Sequence, residues 1–136
     1  MAYWLLKTEP GAYSFDDLER DGGTCWDGVR NYQARNNLQS MRKGDKCVIY
    51  HSVGPKDAVG IAKVTRTAYQ DPGTDDERWV AVDLVFDKRL PRRVSLAEMK
   101  VHPVLSAMAL VKQSRLSVCP VTGEEFKALL ALAKKK

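Results

Sequence analysis

The sequence predicts an α+β domain built around a curved or closed β-sheet. The 136 residues are 44% apolar and 29% charged, a balance that lets one core form without metal or disulfide staples. About five segments carry the alternation or the branched and aromatic residues typical of strands. Short helical segments separate these strands without a regular βαβ rhythm, and we therefore expect one domain over residues 1–136.

The first elements are a strand and two helices. Residues 2–10, AYWLLKTEP, predict a buried strand that stops at a proline. Residues 14–23, SFDDLERDGG, predict a short helix with Ser14 as its N-cap and a glycine pair as its stop. A second helix begins near Asn31, and its core stripe consists of Ala34, Leu38 and Met41.

Three strands follow. The turn RKGD precedes a strand at residues 46–52, KCVIYHS, and a loop at residues 53–57 separates it from a strand at residues 58–69. Residues 70–77, QDPGTDDE, are expected to be an exposed acidic connection. Residues 78–90 alternate over a long run and predict a half-buried strand, in which we expect Trp79 to belong to the core.

The last third predicts helices and a closing strand. Ser95 caps a short helix, and residues 102–112 add one or two helical turns. Residues 114–121, SRLSVCPV, predict the closing strand. Thr122 and Glu125 form a capping box for the terminal helix. The final lysines, Lys134 to Lys136, are expected to be a frayed end.

The net charge and the cysteine content narrow the range of possible functions. The net charge of +5 and the isoelectric point of about 9.2 favour anionic partners. The three cysteines, Cys25, Cys47 and Cys119, lack CxxC spacing, and we expect small buried thiols in a reducing compartment. The sequence shows no signal-peptide pattern and no apolar stretch long enough for a bilayer. A cytoplasmic or nuclear location without a membrane partner is therefore expected.

The sequence gives no positive sign of catalysis. His51 and His102 belong to no metal-binding pattern, and a dyad of His51 with Cys25 is left open by sequence alone. Asp16 and Asp17 are adjacent and diverge by roughly 100° on a helix, which suits helix capping better than a shared proton. We expect no enzyme activity, no cofactor and no metal.

A polar cluster at the start of the second helix favours a binding protein. The stretch CWDGVRNYQARNN places Trp26, Arg30, Asn31, Arg35 and Asn36 within eleven residues. An asparagine amide reads base edges, and a tryptophan ring can stack on a base. The alternative interpretation is equally open: Asn31 caps the helix, the arginines are solvated and Trp26 fills the core.

Five stretches in order resemble the EVE domain family, which includes stand-alone bacterial proteins and the thymocyte nuclear protein group. They are WLLKTEP, WDGVRNYQARNN, GDKCVIYHS, VGIAKV and SRLSV, and the resemblance runs from about Tyr3 to Phe126. It implies a PUA-like small mixed β-barrel of about five to six strands with surrounding short helices, related to YTH and ASCH domains. It also implies a pocket that holds a modified or flipped base of DNA or RNA.

Matching the motifs position by position implies which residues form this pocket. They are Lys7, Thr8, Glu9, Trp26, Val29, Arg30, Asn31, Arg35, Asn36, Tyr50, His51, Ser52, Ser114, Arg115 and Ser117. Trp26, Trp4 and Tyr50 are candidates for an aromatic wall beside an added methyl group. Whether Arg115 enters the pocket or braces Glu9 is left open.

The sequence therefore predicts a non-catalytic, monomeric nucleic-acid-binding module that recognises a modified base in DNA or RNA. One alternative is an enzyme that acts on a nucleotide or modified nucleic acid, with His51 or Glu9 as its acid–base group. Another is a sensor of a small nucleoside, which would show little salt dependence because it makes few phosphate contacts.

Overall fold

The computed structural model describes residues 2–134 and confirms the α+β fold. Lys134 lies directly after the last helix, and Lys135 and Lys136 of the predicted frayed end lie outside the described residues. The strands are β1 (Tyr3–Thr8), β2 (Gly23–Trp26), β3 (Lys46–His51), β4 (Asp57–Gln70), β5 (Val80–Ser95) and β6 (Val118–Val121). The α-helices are α1 (Phe15–Asp21), α2 (Tyr32–Ser40), α3 (Leu96–Val101), α4 (Ala109–Lys112) and α5 (Gly123–Ala133), and a 3-10 turn spans Leu105–Ala107.

The six strands form one mixed sheet in the order β2-β5-β4-β3-β1-β6. β1 pairs with β3 in parallel, and the other neighbours are antiparallel. Among the described residues, no hydrogen-bonded pairing joins the edge strands β2 and β6. The sheet is therefore open and is not a hydrogen-bonded closed barrel.

Side-chain caps set the helix starts as the sequence predicts. Ser14, Ser95 and Thr122 each accept a hydrogen bond from the third residue of the helix that follows, in capping boxes. Asn31 caps α2, because its Oδ1 accepts the Ala34 N–H at 2.9 Å. Of the two roles that the sequence left open for Asn31, the structure shows that its side-chain oxygen caps the helix.

The core lies between the sheet and the helices. Phe15 of α1 is fully buried and packs directly over Gly60 of β4, where any side chain would overlap its ring. Trp4 is also a core residue: its Nε1–H donates to Asp45 Oδ2 at 3.0 Å. In the part of the chain described, no helix is both long and apolar enough to cross a membrane.

Two residues before β5 depart from the sequence expectations. Residues 70–77 form a largely exposed connection as predicted, but Asp71 within it is fully buried. Trp79 precedes β5 and is half-buried, outside the core cluster, with its ring beside Tyr32 and Arg30. Both errors have one cause: this segment folds back onto the loop before α2, a contact between residues about forty positions apart.

Candidate functional site

A cleft of about 520 Å³ opens where the curled sheet fails to close. Its walls come from the end of β1 and the turn after it, from β2 and the loop after it, and from the residue before β6. The volume falls in the range of small-ligand sites, roughly 300–1,000 Å³. The lining residues are Lys7, Thr8, Glu9, Ala12, Tyr13, Thr24, Cys25, Trp26, Asp27, Gly28, Val29, Arg30 and Ser117.

Two aromatic rings form one wall. Trp26 ends β2, where it pairs with Val82, and only 9% of its surface is exposed. The Tyr13 ring meets it edge to face, with centroids 6.5 Å apart and planes at 85°. The Tyr13 hydroxyl donates to Asp21 Oδ2 at 2.9 Å, and burial raises the pKa of Tyr13. Both rings are therefore held in place before any ligand arrives.

Buried Asp71 anchors the loop that carries Gly28 and Arg30. Its Oδ2 accepts the Gly28 N–H and an Arg30 guanidinium N–H, each at 2.8 Å, and its Oδ1 accepts the Gly73 N–H at 2.6 Å. Burial alone would raise the pKa of Asp71, but these donors hold it below its usual value. Gly28 adopts a φ of 77°, which favours glycine. One carboxylate thus fixes this rim of the cleft.

The opposite wall depends on the end of β1. The Lys7 ammonium donates to the Ser114 carbonyl at 2.7 Å, and the Lys7 N–H donates to the Ser117 carbonyl at 3.0 Å. Burial lowers the pKa of Lys7. Thr8 Oγ1 donates to the Tyr13 carbonyl at 2.5 Å. A lysine has three donors, so Lys7 keeps hydrogen-bonding capacity toward the cleft.

Two of the three cysteines are buried, as the sequence predicts. Cys47 and Cys119 are buried, whereas Cys25 is half-buried and lines the cleft. Burial raises the pKa of Cys25, and a neutral thiol is a poor nucleophile. In residues 2–134 no hydrogen bond links Cys25 to His51; the Tyr69 hydroxyl lies 3.0 Å from Cys25 Sγ.

Seven of the fifteen predicted pocket residues line the cleft together. They are Lys7, Thr8, Glu9, Trp26, Val29, Arg30 and Ser117. Three others, Asn31, Ser114 and Arg115, line a neighbouring shallow depression of about 330 Å³, which the Lys7–Ser114 hydrogen bond joins to the cleft. Arg115 is exposed, and no ion pair between Arg115 and Glu9 occurs among the residues that the structure describes.

The remaining five predicted residues lie outside the lining. Tyr50 and His51 are only 2% and 6% exposed, and His51 Nε2 accepts the Phe15 N–H at 3.1 Å. Burial raises the pKa of Tyr50 to about 12. Ser52 supports β1, since its N–H donates to the Thr8 carbonyl at 3.0 Å. Arg35 and Asn36 contact each other on the outer face of α2.

Sequence reasoning missed several contributors. Thr24 and Cys25 belong to β2, a strand of four residues that followed an apparent helix stop. Asp27 and Gly28 stand inside the WDGVR motif, so the motif could have indicated them. Tyr13 and Ala12 join the cleft because the turn after β1 folds back, with both N–H groups donating to the Glu9 carbonyl at 2.9 Å. No group of three or more metal-ligating side chains was found in residues 2–134.

The open α+β sheet, with a cleft lined by β1 and β2, defines a PUA-like fold. An ASCH protein from Zymomonas mobilis shares this fold, with a TM-score of 0.62 at 11% identity over 96% of this chain and 95% of that one. The chain belongs to the EVE domain family, whose model matches residues 2–132. The resemblance drawn from the sequence motifs is thereby confirmed.

Several relatives align over nearly the whole chain. Human thymocyte nuclear protein 1 is 34% identical over 99% of this chain and 75% of its own length. A crystal structure from Agrobacterium tumefaciens is 41% identical, with a TM-score of 0.96 over 98% of this chain and 94% of that chain. The crystal structure of human THYN1 in complex with 5-methylcytosine containing DNA is 35% identical, with a TM-score of 0.91 over 100% and 99% of the two chains.

Proposed function

We propose that this protein is a non-catalytic DNA-binding module that holds a modified base, in the first instance 5-methylcytosine, in the cleft between β1 and β2. The observation that carries the proposal is the human relative bound to 5-methylcytosine containing DNA, which superposes on the whole of this chain. The cleft supports it, because its lining combines aromatic rings, small apolar groups and both signs of charge. All lining residues come from one chain, and a monomer and one domain suffice.

The chemistry of the lining matches the edges of a cytosine ring. We assign the flat face of the base to the wall of Trp26 and Tyr13, since stacking on an aromatic ring is worth roughly 1–3 kcal/mol. A carboxylate such as exposed Glu9 accepts from the exocyclic N4 amine of cytosine. Lys7 and Arg30 donate to the acceptor atoms of the base or to its phosphate. Val29 is the apolar neighbour for the added methyl group.

Three of the other predicted pocket residues are assigned supporting roles. Ser52 and His51 hold β1 and the start of α1 in place, and Asn31 caps α2 beside the cleft. A duplex target must first extrude its base, at a cost of a few kcal/mol, and basic groups around the cleft would offset part of that cost. In keeping with a DNA partner, we propose a location in the cytoplasm of a bacterium or in the nucleus of a eukaryote.

Titration of two DNA duplexes tests the proposal. One duplex carries a single 5-methylcytosine, and the other has the same sequence without it. We expect tighter binding of the methylated duplex, and we expect Glu9→Gln to weaken it about tenfold, equivalent to about 1.4 kcal/mol. Glu124→Gln, at an exposed site on α5 outside the cleft lining, should bind as wild type. Equal binding of both duplexes by the wild type would refute the proposal.

The two alternatives have separate tests. The enzyme alternative relied on His51 or Glu9, and His51 is buried with its Nε2 already hydrogen-bonded to backbone, which leaves only Glu9 at the cleft. Turnover of a methylated oligonucleotide that Glu9→Gln abolishes would support it. A nucleoside sensor would bind free 5-methyldeoxycytidine as tightly as the duplex and with little response to salt.

A further inference from the structure

A second group of side chains lies beside the cleft and shares only Arg30 with the cleft lining. We call it the arginine–aromatic cluster: Tyr32, Trp79, Arg30, Arg35 and Arg78. Tyr32 is the first residue of α2 and is 51% exposed, although large aromatic side chains are usually buried. Its ring centroid lies 5.1 Å from that of half-buried Trp79, at an interplanar angle of 35°. Two aromatic rings thus meet at the surface, next to the loop that lines the cleft.

Three guanidinium groups surround these two rings. The guanidinium carbon of Arg35 lies 5.1 Å from the Tyr32 ring centroid, and those of Arg30 and Arg78 lie 5.8 Å and 6.0 Å from the Trp79 ring centroid. Arg78 also donates to the Tyr32 hydroxyl at 2.9 Å. Contacts with aromatic faces hold these long side chains in place, and so less rotamer entropy is lost when an anion binds.

The cluster carries more positive than negative charge. Arg30 is paired with Asp71 and Arg78 with Asp76. Arg35 donates instead to the Asn36 side-chain oxygen at 2.8 Å and to the Arg78 carbonyl at 3.2 Å, and no carboxylate pairs with it among the residues described. Arg35 is therefore the cation of this cluster with charge left to neutralise, and its planar fork suits two oxygens of a phosphate.

We propose that the arginine–aromatic cluster binds the phosphodiester backbone of the DNA strand that flanks the base held in the cleft. The inference rests on the proposed function, and Arg30 provides the continuity, since it lines the cleft and also lies over Trp79. A DNA backbone fits better than an acidic peptide, because it is continuous with the base in the cleft and presents a phosphate at every nucleotide. Backbone contacts of this kind add affinity without reading sequence or modification.

Arg35→Ala tests the cluster, with the two duplexes titrated at several salt concentrations. Alanine is a good helix former on the surface of α2, and the fold should be retained. We expect affinity to fall about fivefold to tenfold for the methylated and the unmodified duplex alike. The slope of log K against log salt should become shallower by about 0.9, the value for one phosphate contact. Arg35→Lys, which keeps the charge and loses the fork, should fall between alanine and wild type.

Arg42→Ala is the matched control. It removes the same charge beyond the far end of α2, roughly 15 Å along the helix axis from Tyr32, and should leave the salt slope unchanged. Wild-type affinity and slope for Arg35→Ala would overturn the inference, as would a loss confined to the methylated duplex. Failure of the function proposed for the cleft would be seen in the wild type, as a lack of preference for the methylated duplex. Failure of the cluster proposal would be seen only in Arg35→Ala, and so the two results can be told apart.

Discussion

Two regions of the sheet differ in the interactions that stabilise them. The continuous side consists of the paired strands β3, β4 and β5, and the open seam is the region where β1 and β2 line the cleft. From β3 through β4 to β5, backbone ladders with local register shifts join the strands, and the side chains that face the core are apolar and buried. At the seam, β1 and β2 line a cleft, and the carboxylate of Asp71 holds the loop after β2 against the segment between β4 and β5. Because β1 and β2 are not paired with each other, room for a ligand is left between them. The hydrogen-bonded strands of the continuous side hold the walls of this cleft apart.

The largest expected effect comes from removing the anchor of the seam. Asp71→Ala leaves the Gly28 N–H and the Gly73 N–H without their acceptor and Arg30 without its carboxylate. Because hydrogen bonds to a charged acceptor contribute about 1.5–3 kcal/mol each and these donors are partly accessible to water, we expect the free energy of unfolding to fall by about 2–4 kcal/mol. Preference for the methylated duplex should also be lost, since the rim moves. Urea unfolding and duplex titration measure the two effects.

Asp75→Ala is the control for this change. Asp75 is exposed in the same segment, and its replacement should alter stability by less than about 0.5 kcal/mol. If Asp71→Ala behaved like Asp75→Ala in both assays, the anchoring role of Asp71 would be wrong. Asp71→Asn should lie between them, since the amide keeps one acceptor oxygen and loses the charge.

A smaller effect is expected on the continuous side, and it should leave recognition intact. In Gly60→Ala the new methyl group would overlap the ring of Phe15, which is fully buried and has little room to move. Overpacking of this kind costs about 1–3 kcal/mol. The folded variant should keep its preference for methylated over unmodified DNA, as judged by titration at low temperature.

Gly11→Ala provides the comparison, because a side chain at Gly11 meets no atom within 4 Å. Its free energy of unfolding should stay within about 0.5 kcal/mol of the wild type. A Gly60→Ala variant that stayed fully stable but lost base preference would contradict the division between a stabilising side and a binding seam.

The sequence predicted what depends on near neighbours in the chain. Ser14, Asn31, Ser95 and Thr122 were recognised as helix starts because a cap is defined within three or four residues. The alternation at residues 78–90 is also a local signal, and it predicted β5. The strand continues to Ser95, five residues beyond the end of the alternation.

The missing parts of the fold and site depend on distant contacts. Nothing near Asp71 reveals that it binds Gly28 and Arg30 more than forty residues away, and an Asp-Pro-Gly sequence looks like an exposed turn. The parallel pairing of β1 with β3 also has no local signature. Seven residues of the family motifs line the cleft, but the motifs alone could not tell which of their residues face the cleft and which, like Tyr50, face the core.

Substitutions of Asn31 distinguish a role in helix capping from a role in base recognition. The expected change in the free energy of unfolding is about 1 kcal/mol. Asn31→Ala removes the acceptor for the Ala34 N–H and should lower the free energy of unfolding by about that amount. Asn31→Ser restores a capping oxygen and should recover stability together with duplex binding. A serine variant that is as stable as wild type but has lost the preference for methylated DNA would show instead that the amide contacts the base.

The smallest expected effect is a pH dependence of stability on the continuous side, at the end of β3. His51 accepts the Phe15 N–H at 3.1 Å through Nε2, which must be unprotonated to do so. Burial lowers the pKa of His51 from its ordinary value of 6.5, and the nearby charge of Arg93 lowers it further. The carboxylates of Asp16 and Asp57 act in the opposite direction without reversing the shift.

The unfolded chain therefore takes up a proton at His51 before the folded protein does. The contribution of His51 to stability is complete above about pH 6.5 and is lost as the pH falls from there toward the lowered folded-state pKa. His51→Gln, which cannot titrate, should flatten urea-unfolding stability across this window. A slope that survives His51→Gln unchanged would show that the pH dependence of stability does not arise from the hydrogen bond between Phe15 and His51.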